Sequence, residues 1–521
     1  MTNFSKWRQY GMFGAIAFAT VFQSCTDLEP EVYGDIVTEA PGSELPLLED
    51  PEGVLLATYN GLQTFTDQAG AFSLLEHTSD ELIGPTRGTD WFDAGAWQQM
   101  HAHNWTASNP RVIETFTRLS TPYFNATQVI AATSDADIIA EAKFLRAYFM
   151  AHMADFYGQV PFREATEGIG VFPKVLSRAE AIAFVIQDLE EAIPALQDFD
   201  PTDAGAVNKQ AAQVFLTRML LNKAVYSAAS PEGPYAHAPA DLDRVVSLSN
   251  DVIASGYFQL QAPGSYFQMF GPDNTAQSTE SVLALQFANG DGIGSSTQNR
   301  HRMTTHYNQE ISGWNGFTTV ADFYNKWDQA DERFSAEGLN PDAGLRAGFL
   351  EGQQFGKDAM GETVALTTRS GQPLVFTVDV SLGFSNEAAG VRVLKYYPDL
   401  ANIEDPANDY VLLRYAEVFL NKAEAQLRNG DNGGALATIN ELRASREGAA
   451  ALPSLDEPSL LDERGFEMYW EGVRRLDQVR FGTYLSSYSE KEYESDPRVF
   501  LFPIPLEQIA ANPNLVQNAG Y

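Results

Sequence analysis

Apolar residues recur every three or four positions along much of this chain, which is the spacing of an amphipathic helix. In segment 137–157 the pattern is continuous, and Ser134 and Asp137 are candidate caps at its start. Ser177 and Glu180 stand three residues apart before the next periodic segment, as in a capping box. The pattern predicts further helices that begin at Asn208 and Asp241, the second closed by Gly256, and helices over 410–428, 434–446 and 460 to about 481.

The predicted helices fall into pairs that start near residues 137, 208 and 410. Each pair is close to the length of a tetratricopeptide unit, about 34 residues, and one such pair cannot bury its own apolar face. Stacking of the pairs supplies the core. The fold class predicted is therefore mostly α, with tetratricopeptide-like helix pairs that form a superhelical scaffold. The intervals between pairs are too long for a regular repeat.

Segment 257–400 has a different pattern, with abundant Gly, Asn, Ser and Thr and few helical runs. Short β-like pieces occur at 281–287, 374–380 and 391–397. The segment is predicted to be an irregular, loop-rich subdomain inserted in the helical scaffold. Because binding residues lie disproportionately on loops, this segment is expected to carry some of them.

The N-terminus has the pattern of a targeting segment. Lys6 and Arg8 precede an apolar stretch over 11–22, and no acidic residue occurs before Asp27. As a helix the stretch rises about 18 Å, against roughly 30 Å for the hydrocarbon core of a membrane, which is typical of a secretory signal peptide. The residues up to Cys25 resemble the lipobox of bacterial lipoproteins, so Cys25 is predicted to be a lipid anchor. An ordinary cysteine, with cleavage elsewhere, is the alternative.

These features divide the chain into five parts. We predict a signal peptide over 1–24, a lipid-anchored tether over 25–50, an N-terminal helical part over 51–256, the loop-rich insertion over 257–400, and a C-terminal helical part over 401–521 that closes the scaffold.

Charge and cysteine content exclude several classes of function. The 69 acidic residues outnumber the 34 basic ones, and removing Lys6 and Arg8 from a net charge of −35 leaves −37. Such a charge repels nucleic acid and anionic bilayers, and the basic residues form no patch. It also disfavours strongly anionic polysaccharides, unless a local pocket around Arg87, His301 and Arg302 overrides it. A single cysteine excludes intramolecular disulfides, Cys-based zinc sites and iron–sulfur clusters, and no cofactor is predicted.

Motifs for catalysis are weak. Glu76, Asp80 and Glu81 are close in sequence, and paired carboxylates can hydrolyse glycosidic bonds. Among 69 acidic residues such proximity carries little information, and a solvated acidic face is the favoured interpretation. The nucleophile elbow, the phosphate-binding loop and the dinucleotide fingerprint are all missing from the sequence. An enzyme is therefore not predicted.

Histidine spacing gives a second weak signal. His101 and His103 could present two imidazoles on one face of a strand, and His301 and His306 could join them. No third ligand stands at a fixed spacing, and no HExxH helix occurs, so a metal site is not predicted.

Tryptophans in polar loops are the best candidates for ligand binding. Trp91, Trp97 and Trp105 lie in or beside a Gly-containing stretch without helical period, and Trp314 is flanked by small polar residues. An indole in such a loop can stack against a sugar ring while neighbouring polar groups bind hydroxyls. Packing is the alternative for each, because Trp is highly buried on average. The predicted ligand-binding residues are Trp91, Trp97, Trp314, Arg87, His301 and Arg302.

Several longer motifs, in order along the chain, resemble the RagB/SusD-like nutrient-uptake lipoproteins of the Bacteroidota outer membrane. One is YVLLRYAEVFLNKAEA over 410–425. The others are 140–148 with 156–161, 435–446, 461–464 with 471–480, 502–505, 512–515 and 517–521.

This resemblance implies a fold of four tetratricopeptide-like helix pairs that support an irregular subdomain. It further implies a non-enzymatic, lipid-anchored protein of the outer membrane that faces the exterior. Such a protein would capture an oligosaccharide or peptide and act as the lid of a SusC-like, TonB-dependent transporter. The motifs describe the scaffold, so no ligand residues carry over from the family. A surface glycoside hydrolase and a structural or adhesive helical-repeat protein remain the alternatives.

Overall fold

A computed structural model describes residues 44–288, 298–340 and 344–521. The predicted signal peptide, Cys25 and most of the predicted tether lie outside the described residues. Within them the protein is mostly helical, as predicted, with short strands between the helices.

The helices have the following bounds: α1 Pro51–Asn60, α2 Ala71–Glu76, α3 Ala96–His101, α4 Pro110–Ala132, α5 Ala136–Tyr157, α6 Arg178–Ala192, α7 Lys209–Tyr226, α8 Pro239–Ser255, α9 Asn274–Gln277, α10 Gln298–Arg302, α11 Ala321–Tyr324, α12 Tyr415–Arg428, α13 Asn432–Ala444, α14 Glu457–Met468, α15 Arg474–Arg480 and α16 Leu506–Ala511.

The strands are β1 Leu82–Ile83, β2 Gln159–Phe162, β3 Lys174–Ser177, β4 Ser281–Leu285, β5 Thr318–Thr319, β6 Ser335–Asn340, β7 Leu345–Leu350, β8 Gly352–Gln353, β9 Phe355–Lys357, β10 Thr363–Ala365, β11 Val375–Phe376, β12 Arg392–Leu394 and β13 Tyr410–Arg414.

Successive helices pack side by side, as the predicted pairs require. α4 packs against α5, α5 against α6, α6 against α7, and α7 against α8, while α12 packs against both α8 and α13. The predicted pairs that start near 137, 208 and 410 correspond to α5 with α6, α7 with α8, and α12 with α13. Most apolar faces of these helices meet in one large core.

Local caps fix where the helices begin. Ser177 and Glu180 form the predicted capping box of α6, and Asn208 accepts a hydrogen bond from Ala211 N at 2.8 Å at the start of α7. The cap of α5 is different from the prediction. Asp135, not Ser134 or Asp137, accepts the N–H groups of the first turn, since its extended backbone turns its carboxylate toward them. For α8 the predicted cap Asp241 lies inside the first turn, while Gly256 closes the helix in the left-handed conformation as predicted.

Two predicted helices are shorter than their apolar patterns. Residues 410–414 form β13, which pairs antiparallel with β4, and the helix starts only at Tyr415. All five side chains of β13 are buried. Because no polar face is present, the sequence pattern of this run cannot distinguish a helix from a buried strand. The predicted helix from 460 to about 481 is divided into α14 and α15, because Trp470 (φ 59°) and Gly472 (φ 78°) adopt left-handed conformations between them.

The segment that was predicted to be irregular contains short strands joined by long turns and loops. The predicted pieces at 281–287, 374–380 and 391–397 contain the shorter strands β4, β11 and β12. β12, β7 and β6 form a three-stranded antiparallel sheet, and the remaining strands pair in twos. A second, aromatic-rich core lies beneath these strands and includes Trp97, Phe317, Phe349 and Trp470.

Candidate functional site

The pairing of β1 with β5 brings two distant loops together. Leu82 and Ile83 pair with Thr319 and Thr318, so the loop that follows β1 lies beside the loop that precedes β5. We call these the 84–105 loop, which includes the short helix α3, and the 303–317 loop. They are the loops in which the sequence places Trp91 and Trp314.

The 303–317 loop folds back tightly on its own first turn. Asn315 N donates to Thr305 O and Gly316 N to Met303 O, both at 2.9 Å. A Cβ at Gly313 would lie 2.1 Å from Thr305 O, so this close approach of two backbone segments requires glycine. The return of the chain presents Trp314 at the surface, where its side chain is half-buried.

Trp91 and Trp314 form an aromatic pair across the two loops, which we call the platform. Their ring centroids lie 6.5 Å apart at an interplanar angle of 46°, and Trp91 Nε1 donates to Trp314 O at 2.8 Å. Trp91 is half-buried and its ring packs against Phe317 at 4.7 Å. The platform is thus a partly exposed aromatic surface whose base belongs to the second core.

The backbone of the 84–105 loop is strained at the platform. Trp91, Asp93 and Ala94 have φ values of 61°, 41° and 56°, in the left-handed region that disfavours residues with a Cβ. Gln98 Nε2 stabilises this conformation by donating to Trp91 O at 3.0 Å and to Thr86 Oγ1 at 2.9 Å. Strain of this kind is maintained by surrounding contacts and is concentrated at functional sites.

A polar rim lies beside the platform, starting at Asp90, the residue before Trp91. Tyr307 OH donates to Asp90 Oδ2 at 2.7 Å, and the Arg369 guanidinium lies 4.0 Å from the centre of the Tyr307 ring. Arg369 Nε also donates to Glu387 Oε2 at 2.8 Å. Burial, together with the bond to Asp90, raises the pKa of Tyr307 to about 12, so its hydroxyl remains a donor at neutral pH. The rim therefore offers carboxylates, a hydroxyl and a guanidinium for hydrogen bonds to a ligand.

The six predicted ligand-binding residues divide into a surface set and a buried set. Trp91, Trp314 and Arg302 are half-buried, and Arg302 is ion-paired with Glu404. The other three lie beneath the surface: Trp97 is 3% exposed, Arg87 4% and His301 1%.

Within the buried set, Trp97 and Arg87 contact the platform and its loop, since Arg87 Nε donates to Gly316 O. Trp97 packs against Trp91 at 5.9 Å between ring centroids, and its indole N–H donates to Asp93. Burial lowers the pKa of His301 to about 3, so this imidazole is neutral at physiological pH. All three side chains are buried in this conformation.

Sequence reasoning did not identify the rim residues Asp90, Tyr307, Arg369 and Glu387. They come from four separate loops, and only tertiary contacts bring them together. The position of Asp90 next to Trp91 was the one local signal available for any of them.

The carboxylates considered for glycoside hydrolysis are structural, so the favoured interpretation of a solvated acidic face was wrong. Glu76 and Glu81 are fully buried and accept the backbone N–H groups of Gly472 and Trp470, while Asp80 is ion-paired with Arg474. Burial raises the pKa of Glu76 to about 7 and holds that of Glu81 well above its usual range. These groups hold the turn between α14 and α15 in place, and none of them faces an open cleft.

Two of the histidines considered as metal ligands form hydrogen bonds within the fold. His101 contacts Leu82 O and Ser489 O, and His103 contacts Thr78 O and the Ser495 hydroxyl. Within residues 44–288, 298–340 and 344–521, no three His, Cys, Asp or Glu side chains gather as metal ligands.

None of the described helices combines the length and the apolar character needed to cross a bilayer.

Comparison with known proteins places this fold and its loops in a family. A family model described as "SusD family" matches residues 279–496, and a second, described as "Starch-binding associating with outer membrane", matches residues 82–210. The chain is 25% identical over 476 residues to the starch-binding protein SusD of Bacteroides thetaiotaomicron, covering 82% of each chain. It is 23% identical over 419 residues to SusD-like protein P2 of Formosa agariphila, covering 74% of each.

Solved structures agree over nearly the whole chain. A SusD superfamily protein from Parabacteroides distasonis superposes with a TM-score of 0.69 at 17% identity, covering 91% of this chain and 99% of that one. A laminarin-binding SusD-like protein gives a TM-score of 0.67 at 17% identity, covering 92% and 100%. Surface glycan-binding protein A from Bacteroides uniformis also gives 0.67 at 17% identity, covering 90% and 99%. Because two related family models match successive parts of the sequence and the same fold recurs in these structures, the chain belongs to the SusD family.

Proposed function

We propose that this protein is a surface glycan-binding protein that captures an oligosaccharide on the platform. The observation that carries the proposal is the pair of half-buried indoles, Trp91 and Trp314, held across two loops by the hydrogen bond from Trp91 Nε1. The apolar face of a sugar ring stacks well on such rings, since it contributes C–H groups to a flat, electron-rich surface.

The polar rim suits a neutral saccharide. Asp90 and Glu387 accept hydrogen bonds, Arg369 donates them, and Tyr307 can do both. Sugar hydroxyls are donors and acceptors at once, so they match this mixture. The names of the relatives support the same ligand class, because they bind starch, laminarin or surface glycans. A peptide ligand would use the same groups and remains the second candidate.

Binding without catalysis is the activity that fits this chain. The relatives are named as binding proteins, and the carboxylates Glu76 and Glu81 are committed to backbone N–H groups inside the core. A glycoside hydrolase requires two carboxyl groups on either side of an accessible bond. Incubation of the purified protein with starch and laminarin oligosaccharides is expected to give no shortened products.

The setting of the protein is part of the proposal. We infer that Cys25 carries the lipid that anchors the chain to the outer membrane, that residues 25–50 form the tether, and that the folded part faces the exterior. There it would act as the lid of a SusC-like, TonB-dependent transporter. Labelling with a palmitate analogue should be lost in Cys25→Ala, and co-purification from membranes should recover the transporter. Equal labelling of the variant would contradict the anchor.

The platform is tested by removing one indole at a time. We expect Trp91→Ala and Trp314→Ala each to weaken binding of the best starch or laminarin oligosaccharide by about 1 to 3 kcal/mol, the size of a lost stacking contact. Isothermal titration calorimetry measures this loss. Phe172→Ala is the matched control, since Phe172 is 56% exposed on the β2–β3 connection outside the platform. Normal binding by both tryptophan variants would show that the platform is not the site.

A further inference from the structure

Arg87 lies directly beneath the platform and connects two loops. Its Nε donates to Gly316 O at 3.2 Å, and its Nη1 donates to Asn386 O at 2.7 Å. The guanidinium therefore spans from the 303–317 loop to the loop that precedes β12. Only 4% of the residue is exposed.

Arg392 connects the same two loops. In each loop it contacts the residue next to the one that Arg87 contacts. Its Nη2 donates to Asn315 Oδ1 at 2.8 Å and to Glu387 O at 3.0 Å. Asn315 directly precedes Gly316 in the sequence, and Glu387 directly follows Asn386. Because both side chains cross between the same segments at consecutive residues, the two guanidinium groups are neighbours. Arg392 is completely buried.

Neither guanidinium has a carboxylate partner among the described residues. Other buried arginines of this protein do, for example Arg218 with Glu417, Arg475 with Asp155 and Arg480 with Glu424. Arginine stays protonated in proteins, so Arg87 and Arg392 bring two adjacent positive charges into the interior. Buried charges are strongly unfavourable unless they are paired.

The electrostatics agree with this geometry. Burial lowers the pKa of Arg87 to about 9. For Arg392, burial and the neighbouring charge of Arg87 hold the pKa well below its usual range. The acidic side chains nearest in sequence have other partners. Asp90, near Arg87, accepts from Tyr307 OH, and Glu387, near Arg392, accepts from Arg369 Nε at 2.8 Å and lies 3.4 Å from His306 Nε2.

Three buried donors in this region lack an acceptor. Arg87 Nη2, Arg392 Nε and Asn315 Nδ2 are closed to solvent and have no hydrogen-bond partner among the described residues. A water molecule could accept such bonds, but it would leave both charges uncompensated. An anion would satisfy the donors and the charge together.

We propose that Arg87, Arg392 and Asn315 form a buried site for one small inorganic anion of the chloride type. The enclosure decides the class of ligand, because the acidic group of a saccharide or protein could not reach donors that are covered by both loops. The bound anion would fix segments 315–316 and 386–387 to each other and so hold the loop that presents Trp314. This site goes beyond glycan binding and stands whether or not the platform binds glycans.

Crystals grown in bromide instead of chloride test the site directly. Bromide replaces chloride and scatters anomalously, so we expect an anomalous peak between the guanidinium groups of Arg87 and Arg392. A crystal without a peak there, or with only a water molecule, would overturn the proposal. This measurement needs no variant and does not depend on the ligand of the platform.

Solution measurements test the consequence for the loops. In chloride, compared with gluconate at the same ionic strength, amide hydrogen exchange in residues 386–390 should slow by about threefold or more, because anion binding suppresses local opening. The double variant Arg87→Met, Arg392→Met should lose this difference, and Arg244→Met, at an exposed arginine, should keep it. An equal chloride effect in the double variant, or none in the wild type, would contradict the site.

Discussion

Gly316 is the residue on which Trp91 rests. A Cβ added at position 316 would lie 2.4 Å from Trp91 Cε2 and 2.9 Å from Met303 O, closer than carbon and oxygen atoms can approach. We therefore expect Gly316→Ala to displace the Trp91 ring, break its hydrogen bond to Trp314 O and weaken glycan binding roughly 5- to 30-fold, equivalent to about 1 to 2 kcal/mol. Calorimetry with the oligosaccharide bound by the wild type measures this loss.

The control for this substitution is another loop glycine. A Cβ added at Gly383 would have no heavy atom within 4 Å, and the backbone there is not left-handed, so Gly383→Ala should bind normally. Wild-type affinity in Gly316→Ala would mean that the position of Trp91 does not matter for binding.

At the same residue scale, the sequence predicted only part of the site. Trp91 and Trp314 could be found because each stands in a polar loop with glycine nearby, a local signal. The same signal selected Trp97 wrongly: this residue lies on the short helix α3 with its side chain buried, and a helix of six residues is too short to show its period in a stretch with glycine. Tyr307 and Arg369 could not be found, because their neighbours across the rim are set by the pairing of β1 with β5 and by loop contacts.

Among the elements, the break between α14 and α15 depends on one glycine. Gly472 has φ 78°, its N–H donates to Glu76 Oε1, and an added Cβ would lie 3.2 Å from Leu75 Cδ1. A non-glycine residue in this conformation costs about 1 to 2 kcal/mol. We expect Gly472→Ala to lower the free energy of unfolding by at least that amount, measured by urea denaturation.

The matched control is Gly433→Ala. Gly433 lies in α13 with ordinary helical backbone and open space around a Cβ, so alanine should be neutral or slightly stabilising there. If the two alanine variants were equally stable, the left-handed turn would not constrain the junction of α14 and α15.

Elements with local caps could be predicted from the sequence, whereas elements defined by tertiary contacts could not. The start of α6 at Ser177 and of α7 at Asn208 followed from side chains that bond their own first turn. Helix α4 was missed because Pro122 interrupts its pattern, yet the helix continues through it. Strand β13 was assigned to a helix because pairing with β4, not its own apolar pattern, decides its conformation.

For the whole molecule, a chain with net charge −35 pairs most of the carboxylates buried in its described part with arginine. Glu467 contacts Arg333, Arg414 and Arg446, and these cations hold its pKa well below the usual range although burial opposes them. A carboxyl group with a lowered folded-state pKa stabilises the protein above its unfolded pKa, and this stability is lost as the pH falls through the folded value. Glu467 therefore contributes to loss of stability in acid.

Glu76 has the opposite effect. Burial raises its pKa to about 7, only partly countered by the hydrogen bond from Gly472 N and by the charges of Arg300 and Lys395. The folded state thus prefers the protonated carboxyl group of Glu76. The stability that this protonation contributes is complete below pH ~4.5 and is lost as the pH rises through about 7.

We expect Glu76→Gln to remove this loss, because the amide stays neutral and its oxygen can still accept the Gly472 N–H group. Between pH 5 and pH 8 the variant should gain on the order of 2 to 3 kcal/mol of unfolding free energy relative to wild type. Urea denaturation at both pH values measures the difference. Glu52→Gln, at an exposed position of α1, should follow the wild type. Parallel pH profiles for Glu76→Gln and wild type would show that Glu76 is ionised in the folded protein throughout this range.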